Sequence, residues 1–186
     1  MRSFLGIALV AAVSLVAGCD GEEKERGTLE RPGRAATPPP GWRTVSNRGA
    51  RFTIAVPRRW SARPRRNSTL IRSDDRLVVV TVAADRGQEG RDMPPARYAR
   101  LTLQNLPAFE GRVSPSTRRV RGSPYRSALV HAIGTVHASK RPQRITVAAY
   151  RRPGRVTYAA VVFRNLRLTP AYDEAIVDRM LASLRG

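Results

Sequence analysis

The chain reads as an α+β protein: a largely antiparallel sheet of about six to seven strands, covered by helices on both faces. Three observations predict this. Leu77–Val82 and Val156–Phe163 are apolar at nearly every position, a pattern strands need when both faces are covered. Helical periodicity is confined to two places, one midway along the chain and one at its end. The remaining strand-like pieces follow one another across short turns, which favours meanders over crossovers.

Taken in order, the first strands are Trp42–Ser46 and Phe52–Val56, joined through Asn47-Arg48-Gly49 and stopped by Pro57. Thr69–Arg72 is a short strand, Asp74-Asp75 a turn, and Leu77–Val82 the first fully apolar strand. A helix is expected over Pro95–Leu106, with Asp92 as its cap, Tyr98, Ala99, Leu101, Leu103 and Leu106 as its apolar face, and Pro107 as its stop. Strands are expected over Arg118–Gly122, Tyr125–Ala138 and Arg144–Arg152, the last pairing with Arg155–Arg164 across Pro153-Gly154. The final helix, Pro170–Leu184, has Thr169 as cap and Pro170 at its first position. Tyr172, Ile176, Met180 and Leu184 recur every four residues beside Val177 and Leu181, one apolar stripe.

The N-terminus has a different character. Arg2 precedes an apolar run from Phe4 to Val16, and Leu15-Val16-Ala17-Gly18-Cys19 follows. A basic start, a short apolar stretch and small residues before a cut describe a secretory signal. The run is interrupted by Ser14 and stops at Asp20, short of the roughly 20 apolar residues a spanning helix needs. Leu15 to Cys19 resembles the bacterial lipobox, which implies a signal peptide over 1–18 and lipidation (diacylglyceryl and palmitate-type chains) at Cys19. Since Cys19 is the single cysteine, no disulfide is expected. Residues 19–40 carry nearly balanced charge, no apolar period and a Pro38-Pro39-Pro40 end, which suits an extended tether to a domain over 41–186.

Within that domain, Gly41-Trp42, Gly49 and Phe52-Thr53-Ile54-Ala55-Val56-Pro57-Arg58-Arg59-Trp60 resemble the opening of PsbP-like domains. In these an aromatic-led strand runs into a proline and then a tryptophan, and the last helix ends in a serine-leucine pair, here Ser183-Leu184. The superfamily includes LpqN-like envelope lipoproteins. The resemblance rests on the two ends of the domain. It implies a sheet sandwiched between helices and a binding or scaffolding role without catalysis, and it transfers no site residue. Physically, Pro57 ends a strand where its missing N–H does no harm, and Trp60 is expected to close one end of the core.

The formal net charge is +20, and all 34 basic residues except Lys24 and Lys140 are arginine. Such a skew, beside abundant Ala, Gly, Pro and Val, suits GC-rich coding as well as it suits anion binding. If the charge is functional, Arg58, Arg59, Arg63, Arg65 and Arg66 form the centre of a basic face. Trp60, Tyr125 and Tyr150 stand near arginine clusters in the manner of single-strand nucleic-acid binders, but core roles are the favoured reading for them, and export argues against nucleic acid as a partner.

Catalytic and metal chemistries find little support. His131 and His137 are six residues apart on one expected strand, roughly 20 Å, too far to share an ion. No Gly-x-Ser-x-Gly elbow or Gly-rich phosphate loop occurs, and the domain's acids fall in turns, loops and the polar side of the last helix. The expectation is therefore an extracytoplasmic, lipid-anchored, non-catalytic binding or scaffold module without cofactor or metal. Its partner would be an envelope protein, a lipid or a small apolar ligand. The alternative is an electrostatic adhesion module for anionic envelope polymers or headgroups, and a weaker one is an enzyme of unknown class.

Overall fold

A computed structural model describes residues 38–87, 92–137, 139–152, 156–166 and 170–186. The signal segment, Cys19 and most of the tether lie outside the described residues, as do Thr169 and the Pro153-Gly154 turn. Among the described residues no helix is long and apolar enough to cross a membrane.

Among the described residues nine strands and two helices follow one another. The strands are β1 (Trp42–Asn47), β2 (Phe52–Pro57), β3 (Ser61–Pro64), β4 (Ser68–Arg72), β5 (Val78–Asp85), β6 (Glu110–Val113), β7 (Arg126–Val136), β8 (Ser139–Arg151) and β9 (Thr157–Asn165). Helix α1 (Pro95–Gln104) separates β5 from β6, and α2 (Pro170–Ala182) follows β9. Seven strands form one antiparallel sheet in the order β3-β4-β5-β9-β8-β7-β6, while β1 and β2 pair as a separate hairpin. The fold is α+β, as the apolar runs predicted.

The sheet divides two cores. On one face α2, the β1–β2 hairpin and Trp60 pack over Ile71, Val80, Leu129, Tyr150, Tyr158 and Val162. On the other, α1 lays Tyr98, Ala99, Leu103 and Leu106 on Val130, Ala132, Ile145, Val147, Ala149, Ala159 and Val161. β9 is buried at six successive positions, so its continuous apolarity has the predicted cause. β5 alternates between buried and half-buried residues, because α1 packs over β7 and β8 and leaves that side of β5 only partly covered. Among the described residues, the buried members of both cores fall between Val45 and Leu184.

The structure corrects several expectations. Asp92 does not cap α1: Pro94 is the N-cap, no side-chain cap bond forms, and Pro95 enters the first turn with its φ already set. Leu101 is half-buried, and Thr102 takes the fully buried position beside Leu103. Arg118–Gly122 is not a strand. Only Arg118 bridges to Leu129, and the sheet edge is supplied instead by β6. β3 was not expected, since Ser61–Pro64 is mostly exposed and lacks an apolar face.

Candidate functional site

Among the described residues the covering layers leave one end of the sheet open. On the α2 face, beyond Val162 and Ala148, lies a cleft of about 900 Å3. Its lining comes from β6, the loop after it, the distal half of β7, and β8 and β9 where they meet. Ligand sites of roughly 300–1,000 Å3 are ordinary for small molecules.

Strand pairing fixes what stands in the cleft. Arg112 lies opposite Ile133, Ile133 opposite Arg144, and Arg144 opposite Arg164, so four adjacent strands present one cross-strand row, Arg-Ile-Arg-Arg. Directly opposed residues on one face have Cβ atoms about 5 Å apart. The face is set by alternation: Arg164 shares its side of β9 with Tyr158 and Val162, and Ile133 its side of β7 with Leu129. Ile133 is 52% exposed, one of two large apolar side chains among the described residues left in solvent. Arg164 at the floor is 3% exposed.

The next row holds the floor in place. The Arg164 guanidinium donates to Thr146 Oγ1 at 2.8 Å, and the same hydroxyl meets His131 Nδ1 at 2.9 Å. Thr146 is fully buried, so this three-residue chain links β7, β8 and β9 beneath the cleft and restrains the Arg164 head. Glu110, on β6, is the one acid among the described residues lining the cleft.

The outer wall of the cleft depends on two glycines. Gly111 and Gly134 face each other across β6 and β7. A Cβ on Gly134 would stand 2.8 Å from Gly111 Cα and 2.9 Å from Phe109 Cε2, closer than side chains tolerate. Close backbone approach is what glycine in a strand permits.

The arginines singled out from the sequence lie elsewhere. Arg58 and Arg59 are in the turn after β2, Arg63 is on β3, and Arg65 and Arg66 are in the β3–β4 turn, all exposed. They gather along the opposite edge of the sheet from the cleft. There Arg63 and Pro64 on β3 are also the residues that discourage an edge strand from pairing with another chain. Trp60 and Tyr150 are buried in the core, so they offer no stacking surface beside the arginines. His131 and His137 do not converge: His131 bonds Thr146 within the sheet, and His137 lies past the end of β7 with its amide on the Pro107 carbonyl. Among the described residues no group of three or more His, Cys, Asp or Glu converges to hold a metal.

Sequence reasoning missed the cleft because its signal is topological. Arg112, Ile133, Arg144 and Arg164 are scattered over 53 positions and meet only through register. The one local hint was an isoleucine and two arginines on the strand positions that alternate with the α1 core.

No family model matches the chain, and no curated protein matches it. Among solved structures it is similar to the Ran-binding protein Mog1p of Saccharomyces cerevisiae, at 12% identity and a TM-score of 0.43, over 76% of this chain and 86% of that one. It is similar to LpqN of Mycobacterium tuberculosis, described as involved in cell envelope biogenesis, at 19% identity and a TM-score of 0.42, over 76% and 84%. A third similarity is to a protein of Bacteroides thetaiotaomicron, at 11% identity and a TM-score of 0.41, over 77% of this chain and 48% of that one. These are distant relationships of fold.

Proposed function

We propose that this chain is an envelope lipoprotein, held at the outer side of a bacterial membrane through a lipid on Cys19, whose domain is a binding module and not a catalyst. The observation that supports binding is the open end of the sheet: a cleft of about 900 Å3 with Ile133 presented to solvent between arginines. An apolar side chain left exposed in a concavity favours a ligand that covers it. The lipobox-like Leu15-Val16-Ala17-Gly18-Cys19 and the proline-ended tether support anchoring.

Two measurements test this reading. With the full chain in a bacterial host, Cys19→Ala is expected to abolish incorporation of labelled palmitate and to move the protein out of the membrane fraction; unchanged fractionation would remove the anchor. With the purified full chain, solubilised envelope material is expected to slow amide exchange in 110–115, 131–135 and 142–144, and Ile133→Asp is expected to cancel that protection. Protection confined to other segments, or none, would overturn the cleft as the site.

A second reading has its own observation. Arg58, Arg59, Arg63, Arg65 and Arg66 are all exposed along one edge, which suits adhesion to anionic polymers or headgroups. Such binding would fall steeply between low and physiological salt, where the Debye length shrinks to about 8 Å, and changing these five arginines to glutamine would abolish it.

A further inference from the structure

We infer that the outer edge of β6 is an interface with a second copy of this chain, the two β6 strands pairing antiparallel about a two-fold axis at Gly111. The two edges of the seven-stranded sheet are built differently. β3 carries Arg63 and Pro64, and the exposed Arg58, Arg59, Arg65 and Arg66 lie beside it, so that edge repels a further strand and lacks one N–H to offer it. β6, at the other end of the strand order, has no proline, and its Glu110, Gly111 and Arg112 are all exposed. Its outward backbone groups follow from its pairing with β7. The Ser114 N–H donates to the His131 carbonyl at 2.8 Å, so these two residues face each other as a hydrogen-bonded pair. Alternation back along the register makes Arg112 and Glu110 the residues bonded to β7, while Gly111 and Val113 turn their N–H and C=O groups away from it.

The strand's own sequence identifies the occupant. Phe109-Glu110-Gly111-Arg112-Val113 is its own complement when reversed: apolar, acidic, glycine, basic, apolar. With Gly111 set on Gly111 of the second copy, each Glu110 stands opposite an Arg112 and each Phe109 opposite a Val113. Gly111 then occupies a hydrogen-bonded pair, as its outward groups require, and the Glu110–Arg112 pairs fall on the narrow positions, where Cα atoms are about 4.5 Å apart. Opposite charges so placed stabilise a ladder. Phe109 and Val113 lie on the other face, both half-buried against the α1 core, and meet across the seam as apolar pairs. The Phe109 N–H is already given to the Leu106 carbonyl at 3.0 Å, which leaves the Phe109 carbonyl to accept from Val113 of the second copy. Other registers fail. A slip of one residue sets outward groups against groups committed to β7, and a slip of two opposes Arg112 to Arg112 or Glu110 to Glu110. A two-fold between antiparallel strands runs normal to the sheet, so both α2 faces stay on one side. Pro38 and Pro39 lie on that side, beside Thr44 of β1 and Arg179 and Ala182 of α2. Both chains therefore enter from one face, as two copies anchored in one membrane require; this point alone rests on the anchor reading above. With the β3 edges guarded, pairing closes at two copies and does not run on into a fibre.

The test uses the purified full chain in a non-ionic detergent, with Cys19→Ser so that introduced thiols are the only ones present. An equimolar mixture of Glu110→Cys chains and Arg112→Cys chains is expected to form an interchain disulfide under mild oxidation, because opposed residues in this register lie within disulfide reach. Either chain alone is expected to cross-link at least about tenfold less, since its thiols are then diagonal neighbours about 7–8 Å apart. An interface one strand wide falls well below the roughly 1,200 Å2 of stable complexes, so association without the disulfide is weak and is read by sedimentation equilibrium at high concentration. Glu110→Arg alone and Arg112→Glu alone are each expected to weaken it by about tenfold, and the two changes together to restore it to within about twofold. Circular dichroism of every variant is expected to match the parent chain.

Cross-linking of either chain alone as efficient as that of the mixture would overturn the register. No cross-link in the mixture, with the parent chain monomeric at every concentration, would overturn the dimer and leave β6 to an extended peptide of another protein. Association that ignores both single charge reversals would place any dimer contact away from β6. Neither readout involves the lipid or a ligand in the cleft, so the pairing and the binding reading fail separately.

Discussion

At the scale of single residues, Asn47 carries more of the fold than its place in a turn suggests. It is 3% exposed, and its amide nitrogen donates to the Arg65 carbonyl at 2.8 Å, the Ser68 carbonyl at 2.7 Å and Thr69 Oγ1 at 3.0 Å. Its amide oxygen accepts the Ala50 N–H at 2.8 Å. One side chain therefore fastens the hairpin to the β3–β4 turn, its two amide hydrogens shared among three acceptors. Asn47→Ala removes these bonds and the acceptor of the buried Ala50 N–H, and a loss of about 2–4 kcal/mol is expected in urea unfolding. Three tyrosines give a second residue-scale prediction. Burial, reinforced by the hydrogen bond to the Asp85 carboxylate at 2.8 Å, raises the Tyr98 phenol. Burial, then the Asp178 charge, raises Tyr150 well above its usual value. Burial raises Tyr158 as well, with the Arg152 charge opposing it. Because the folded values lie above the unfolded value of about 10, these groups contribute stability that is intact below about pH 10 and lost as pH rises further. Tyrosinate absorbance should show them ionising above the ordinary range, with Tyr150 appearing only as far-UV dichroism collapses. All five tyrosines titrating together near pH 10 in a folded chain would contradict the burial.

At the scale of elements, β6 is the most conditional part of the sheet. It is four residues long, pairs among the described strands with β7 alone, and passes so close at Gly111 and Gly134 that neither position has room for a Cβ. Gly134→Ala is expected to push β6 off the sheet and cost about 2 kcal/mol or more. The sign of that local loss would be faster exchange at 110–113 while β5 and β9 remain protected. The same element shows where sequence reading stops. β9 and α2 were legible because each writes its environment into its own residues: continuous apolarity for a strand covered on both sides, and for the helix an apolar stripe whose described members Ile176, Val177, Met180 and Leu181 lie on the sheet. β6 and β3 write nothing comparable. Glu110-Gly111-Arg112-Val113 and Ser61-Ala62-Arg63-Pro64 are edge strands whose formation is decided by a neighbour that is distant in the chain. Arg118–Gly122 fails for the reverse reason. Its alternation suggests a strand, but β7 already has β6 beside it further along and Gly122 turns the chain away at a φ of +75°. The cleft inherits this illegibility, since β6 forms one of its walls.

At the scale of the whole molecule, the two cores share one sheet and should not melt separately. Leu103→Ala on the α1 side and Met180→Ala on the α2 side each remove a fully buried side chain and are expected to cost about 2–5 kcal/mol. Both are expected to shift a single transition, coincident by tryptophan fluorescence and far-UV dichroism; two separated transitions would show the compartments to be independent. The shared sheet has a further consequence for how the chain finds its fold. Where a sheet is dry on one side only, a strand that slips by one residue exposes its greasy side chains, and water rejects the mistake. Here β9 is greasy on both sides, so water is indifferent to a slip. The arbiter is bulk. Tyr150 and Tyr158 fill space on the α2 side, whereas their strand neighbours Ala149 and Ala159 face the α1 side, where the space is taken by Tyr98, Leu103 and Leu106. A slipped β9 would drive Tyr158 into a space shaped for a methyl group and leave a hole where its ring had been, so the molecule proofreads its own assembly by volume.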